Sequence, residues 1–117
     1  MARFLILWHF NPSAPLPTDP SKLLEFYEMM FPVMDGMMKK GEIEDWGVFP
    51  EGYSGYTIGK GEIADIYRNV IMFHPYVLSE VHEIISYEKS KETLRAVLKA
   101  KIAAMKKTTE LHVKIEK

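Results

Sequence analysis

RFLILWHF, residues 3–10, predicts a strand that is apolar on both faces. Alternation sets Phe4, Ile6, Trp8 and Phe10 against Leu5, Leu7 and His9, and a strand with two apolar faces belongs in the middle of a covered sheet. YVLSEVHEII, residues 76–85, predicts a strand of another kind. Tyr76, Leu78, Glu80, His82 and Ile84 share one face, and Val77, Ser79, Val81, Glu83 and Ile85 the other. The second set offers its β-branched residues to helices, which turns Glu80 and His82 the opposite way. Its charges suit a sheet edge, where they discourage unwanted strand pairing.

The segments between these strands complete the plan. NPSAPLPTDP carries four prolines and is loop, ending with Asp19 as N-cap and Pro20 at the first helical position. Leu23, Phe26 or Tyr27, Met30, Val33 or Met34, and Met37 then recur at helical spacing. Pro32 is expected to kink or interrupt this helix, and Gly41 to cap it. EIEDWGVFP and YSGYTIG predict a hairpin around a Pro-Glu-Gly turn, and KGEIADIYRNVIMF a short helix stopped at His74–Pro75. Ser86 caps a long helix whose inner stripe is Leu94, Val97 or Leu98, Ile102 and Met105. In the tail ELHVKIEK, the alternation of Leu111, Val113 and Ile115 predicts a fifth strand, with His112 on its polar side.

The expectation is one α+β domain over residues 1–117: a ferredoxin-like βαββαβ sandwich to about residue 85, then a C-terminal α-β extension over about 86–117. The order and size, the Gly-Tyr hairpin, the short helix and the PYVLSEVHEI strand resemble the dimeric α/β-barrel superfamily over about residues 1–85. That superfamily includes muconolactone-isomerase-like, antibiotic-biosynthesis-monooxygenase-like and YCII-related proteins. The resemblance is one of topology, and no catalytic motif carries over residue by residue. It implies a homodimer, or a higher assembly of the chain with itself, in which open sheet faces meet across a two-fold axis and enclose a pocket. The extension departs from the minimal pattern and is expected to cover an edge or swap onto a partner.

Composition narrows the function classes. The 117 residues carry a formal net charge of −1, which makes no electrostatic case for nucleic acid or an anionic membrane. With no cysteine, thiolate catalysis, disulfides and cysteine-bound metals are excluded. The apolar run Phe4–Trp8 is too short for a membrane span and lacks the pattern of a leader, so a cytoplasmic protein is expected. There is no glutamine, asparagine occurs only at Asn11 and Asn69, and lysine and glutamate dominate the charges. That bias suits a heat-adapted source, although eight methionines run against it.

His9, Glu80 and His82 are the candidate catalytic residues. Histidine titrates near neutrality, and a neighbouring carboxylate orients its ring for proton transfer. Trp46 and Tyr56 are candidate ligand-binding walls, each an apolar body with a polar tip. Two histidines and a carboxylate are chemically able to hold a metal, but their spacing matches no metal motif, so neither metal nor cofactor is assigned. GKGEIA, residues 59–64, matches a dinucleotide-binding fingerprint, yet the chain lacks the parallel strands that fold needs. Its glycines turn the chain from strand to helix. Met29, Met30, Met34, Met37 and Met38 are read as core and His74 as a helix-end charge. Two readings stay open: a small-molecule enzyme of isomerase or monooxygenase type, or a non-catalytic ligand-binding or assembly module in which Glu80 and His82 satisfy one another across the interface.

Overall fold

A computed structural model describes residues 2–116. The chain runs β1 (Ala2–Phe10), α1 (Pro20–Lys39), β2 (Ile43–Val48), β3 (Ser54–Gly61), α2 (Ile63–Met72), β4 (Val77–Ile84) and α3 (Tyr87–Glu116). The four strands form one antiparallel sheet in the order β2-β3-β1-β4. This is α+β architecture compatible with the ferredoxin-like plan, with β1 inside and β4 at an edge as its charges require. The body ends at Ile84, and the segment from Ile85 onward forms a second compact unit.

The core lies on one face of the sheet. Phe4 and Ile6 from β1 pack with Ile66 from α2, and Ala2, Val70 and Val81 close around them. Fully burying side chains of this size contributes roughly 1.5–3 kcal/mol each. Trp8 is also buried on this face and stacks on Trp46, ring centroids 5.4 Å apart. The stack needs Gly55 at its side, because a Cβ there would overlap both the Trp8 ring and the Gly47 carbonyl.

Local signals build α1 as its sequence predicts. The Asp19 carboxylate accepts from the Lys22 N–H at 3.3 Å, and Pro20 opens the helix. Gly41 closes it at φ +79°, where the Gly41 N–H donates to the Met38 carbonyl and the Glu42 N–H to the Met37 carbonyl. This pair of bonds satisfies carbonyls that a helix end leaves orphaned. Leu23, Phe26, Tyr27, Met30, Met34 and Met37 form the inner stripe. Met29 and Met38 are exposed, so only three of the five clustered methionines face inward. Pro32 does not interrupt the helix. It is exposed, and a carbonyl freed on the solvent side of a helix is satisfied by water.

Two expectations for the C-terminal segment are overturned. ELHVKIEK is not a fifth strand: α3 continues unbroken to Glu116. A strand needs a neighbouring backbone to pair with, whereas a helix satisfies its own backbone groups. The β-branched pair before the tail is held in the helix by hydroxyl donation, Thr108 Oγ1 to the Ala104 carbonyl and Thr109 Oγ1 to the Met105 carbonyl, both at 3.0 Å. The Leu94–Met105 stripe falls on one side of α3 as the periodicity predicts. Ser86 does cap the helix, its Oγ accepting from the Lys89 N–H at 3.2 Å.

Two glycine substitutions should move stability in opposite directions. Gly55→Ala has no room for its methyl and is expected to lose about 1–3 kcal/mol. Gly36→Ala, inside α1 with nothing within 4 Å of the new Cβ, should gain about 0.5–1 kcal/mol. Urea denaturation of the two variants beside the parent chain measures both.

Candidate functional site

Strand register decides which side chains share the sheet's other face. Paired residues of neighbouring strands point the same way. Leu5 pairs with Ile58 on one side and His82 on the other, Leu7 with Tyr56 and Glu80, and His9 with Ser54 and Leu78. None of these shares the face that carries Phe4, Ile6 and Trp8. The result is a floor of half-buried Leu5, Leu7, Ile58 and Leu78 with polar groups on both flanks.

On the β4 flank, His82 Nε2 lies 2.8 Å from Glu80 Oε2. Two residues apart on an edge strand, they stand on one face with no side chain between them. With Nε2 protonated and donating to the carboxylate, Nδ1 keeps its lone pair and is free to accept a proton. The side chains are 54% and 68% exposed, so solvent reaches both. His9 shares this face but stands one pairing step along, diagonal to Glu80, and by strand geometry such diagonals span roughly 7–8 Å. Of the three candidates, His82 and Glu80 are joined by a hydrogen bond, and His9 stands on the same face of the neighbouring strand. Among the described residues, no group of three or more His, Asp or Glu side chains comes together as a metal ion would need.

The opposite flank was not legible from residue pattern. A register shift between Ile43 and Asp45 puts an extra residue into β2, and such a bulge re-aims side chains. Glu44 there takes a two-sided clamp from Arg3 Nη2 at 2.8 Å and Lys60 Nζ at 2.7 Å. Hydrogen bonds from Lys60 and then Arg3 hold its carboxyl below the ordinary carboxylate range. Asp45 accepts from the Tyr56 hydroxyl at 2.7 Å, and that bond raises the phenol above its ordinary value. Tyr56 therefore borders the floor. Trp46 does not: paired with Thr57, it faces the core side and stacks on Trp8. The two expected pocket walls stand on opposite faces of the sheet, because Trp46 and Tyr56 occupy positions of opposite parity.

On the core side a groove of about 580 Å³ runs between α2 and β4, bordered by Ile63, Tyr67, Val70, Ser79 and Val81. His74 reaches its end. The groove is separated from the His82–Glu80 pair by the thickness of the sheet.

The Glu44 clamp should be visible in the pH dependence of folding. A carboxyl held low in the folded state stabilises it above the unfolded value, and that contribution is lost as pH falls through the folded value. Glu44→Gln is therefore expected to flatten the acid limb of stability between neutral pH and about pH 3, read from urea midpoints across that range. Tyr56 has the opposite sign. Its neutral phenol is the favoured form, so its contribution is lost as pH rises through the raised value, and Tyr56→Phe should lessen the alkaline loss. No protein-family model, curated protein or solved structure matches this chain, so its own geometry carries any reading of function.

Proposed function

We propose that two copies of the chain pair their open sheet faces about a two-fold axis. They would enclose a small-molecule chamber, as the resemblance to dimeric α/β barrels implies. The need for cover supports this reading. A four-stranded sheet with helices on one side needs cover on its other side, and within residues 2–84 that other side has an aliphatic floor.

Within the chamber, His82 is the acid/base and Glu80 holds its ring. The observation that carries this assignment is the 2.8 Å His82–Glu80 bond beside the apolar floor. The reaction that suits it is proton relocation within a small apolar substrate: Nδ1 takes a proton from one carbon and returns it to another. Such an isomerisation balances without a cofactor or co-reactant. Tyr56 borders the chamber, with its hydroxyl held by Asp45. His9 lines the same face, diagonal to Glu80.

The exposure of both side chains favours a second reading, in which the pair is a polar contact of a non-catalytic assembly module. Native mass spectrometry of gently purified protein tests the first reading, which expects a dimer carrying small-molecule mass. A bare monomer at micromolar concentration would overturn it. Should the occupant be identified, His82→Gln is expected to keep dimer and ligand while slowing turnover about 10²–10⁴-fold. If Glu80→Gln weakens dimerisation and no chamber binds a ligand, the second reading is the correct one.

A further inference from the structure

Arg3 shares the parity of Leu5 and Leu7, and it pairs with Lys60 across the β1–β3 ladder. Two cations thus stand side by side at one end of the face that carries the aliphatic floor. Between them they hold a single carboxylate. Glu44 accepts from Arg3 Nε at 2.9 Å and Nη2 at 2.8 Å, and from Lys60 Nζ at 2.7 Å. Among the described residues neither cation has a second ion-pair partner. Two cations against one carboxylate leave a surplus of one positive charge. Donors are left over as well. Glu44 occupies the Nε–Nη2 edge of the guanidinium, so the Nη1–Nη2 edge keeps two parallel N–H groups, and the Lys60 ammonium keeps hydrogens of its own.

The rest of the face has the opposite character. Asp45 and Glu80 are carboxylates, and with their hydrogens given to them, the Tyr56 oxygen and His82 Nδ1 present lone pairs. An anionic group bound on this face therefore has one place to go. That place stands in a definite relation to the reactive pair. Arg3 pairs with Ile84 and Leu5 with His82, so Arg3 and His82 are diagonal neighbours, roughly 7–8 Å apart by strand geometry. Leu5 and Ile58, paired with each other, lie one step along from Arg3 and Lys60. They form an apolar step between the cations and the imidazole.

We propose that the ligand of this face is a small monocarboxylate. Its carboxylate takes the unspent donors of Arg3 and Lys60, and its hydrocarbon part lies over Leu5 and Ile58 toward His82 Nδ1. This rests on the chamber reading above and names the substrate class for it. One carboxylate matches the one surplus charge. A phosphate monoester, with a charge of roughly −1.5 to −2 near neutrality, would leave an excess of negative charge beside Glu44. Shape points the same way, because the free guanidinium edge meets a planar carboxylate with two parallel bonds.

Hexanoate and hexanamide differ in charge and scarcely in shape, so titrating the protein with each, read from amide NMR shifts, tests the assignment. Hexanoate is expected to bind about fivefold more tightly or better, with shifts centred on Arg3, Leu5, Lys60 and His82. Raised salt should weaken hexanoate and spare hexanamide. Arg3→Gln and Lys60→Gln should each bring hexanoate toward the affinity of hexanamide. Both variants also break the clamp, so Glu44→Gln carries the decision. It frees both cations and raises the surplus from one charge to two, and hexanoate should then bind about fivefold more tightly although the clamp is lost. If the cations serve only to hold Glu44, that variant leaves hexanoate binding unchanged or weaker, and the proposal fails. Equal affinity for the two probes would overturn it while leaving the chamber standing. Tighter binding of hexyl phosphate than of hexanoate would overturn it in favour of a phosphate ester. Binding of neither hexanoate nor hexanamide would overturn the chamber reading and this inference together.

Discussion

Packing of Phe4 and Ile6 against Ile66 is the constraint on which the rest of the body depends. It ties the central strand to α2 and thereby decides which side of the sheet becomes core. Once Phe4, Ile6 and Trp8 are committed to that side, strand parity sends Leu5, Leu7 and His9 to the other, and cross-strand register carries the choice to Tyr56, Ile58, Glu80 and His82. A one-residue slip would exchange the two sets and bury the charged pair. The cost of burying Glu80 and His82 away from water is a reason the register has one solution.

The same choice leaves the molecule unbalanced. A sheet covered on one side has a second side with aliphatic residues at its centre, and here polar devices on both edges frame that floor. The His82–Glu80 pair stands on the outer strand β4. The Glu44 clamp and the Asp45–Tyr56 bond stand on the other flank, where the β2 bulge re-aims two carboxylates at once. Cations beside Glu44 hold it charged, and Asp45 holds the Tyr56 phenol neutral. The polar rim is therefore built of partnered groups, which lets it border an apolar floor without stranding a charge.

Much of this was legible along the chain. The two-sided apolar pattern of residues 3–10 placed the central strand, and the charges of residues 76–85 placed an edge. Asp19, Pro20 and Gly41 bounded α1, and the inner methionines followed helical spacing. Parity also brought Glu80 and His82 to one face. What could not be read was contact between elements distant in sequence. Trp46 and Tyr56 were expected to share a pocket because both lie in the hairpin, but their positions have opposite parity and their rings face opposite ways. Glu44 was missed because its role comes from a bulge, which leaves no periodic trace. The tail shows the converse error. Leu111, Val113 and Ile115 alternate like a strand, yet alternation predicts a strand only where a neighbouring strand exists to pair with it.

By itself the sequence determined the element types of the body, their order, and which residues of each strand travel together. These follow from local sterics and from the periods of strand and helix. Only the tertiary structure decided that His82 bonds Glu80, that Trp46 joins the core, and that Glu44 is clamped. Those outcomes depend on register and on a bulge, and register is settled by packing between strands far apart in the chain.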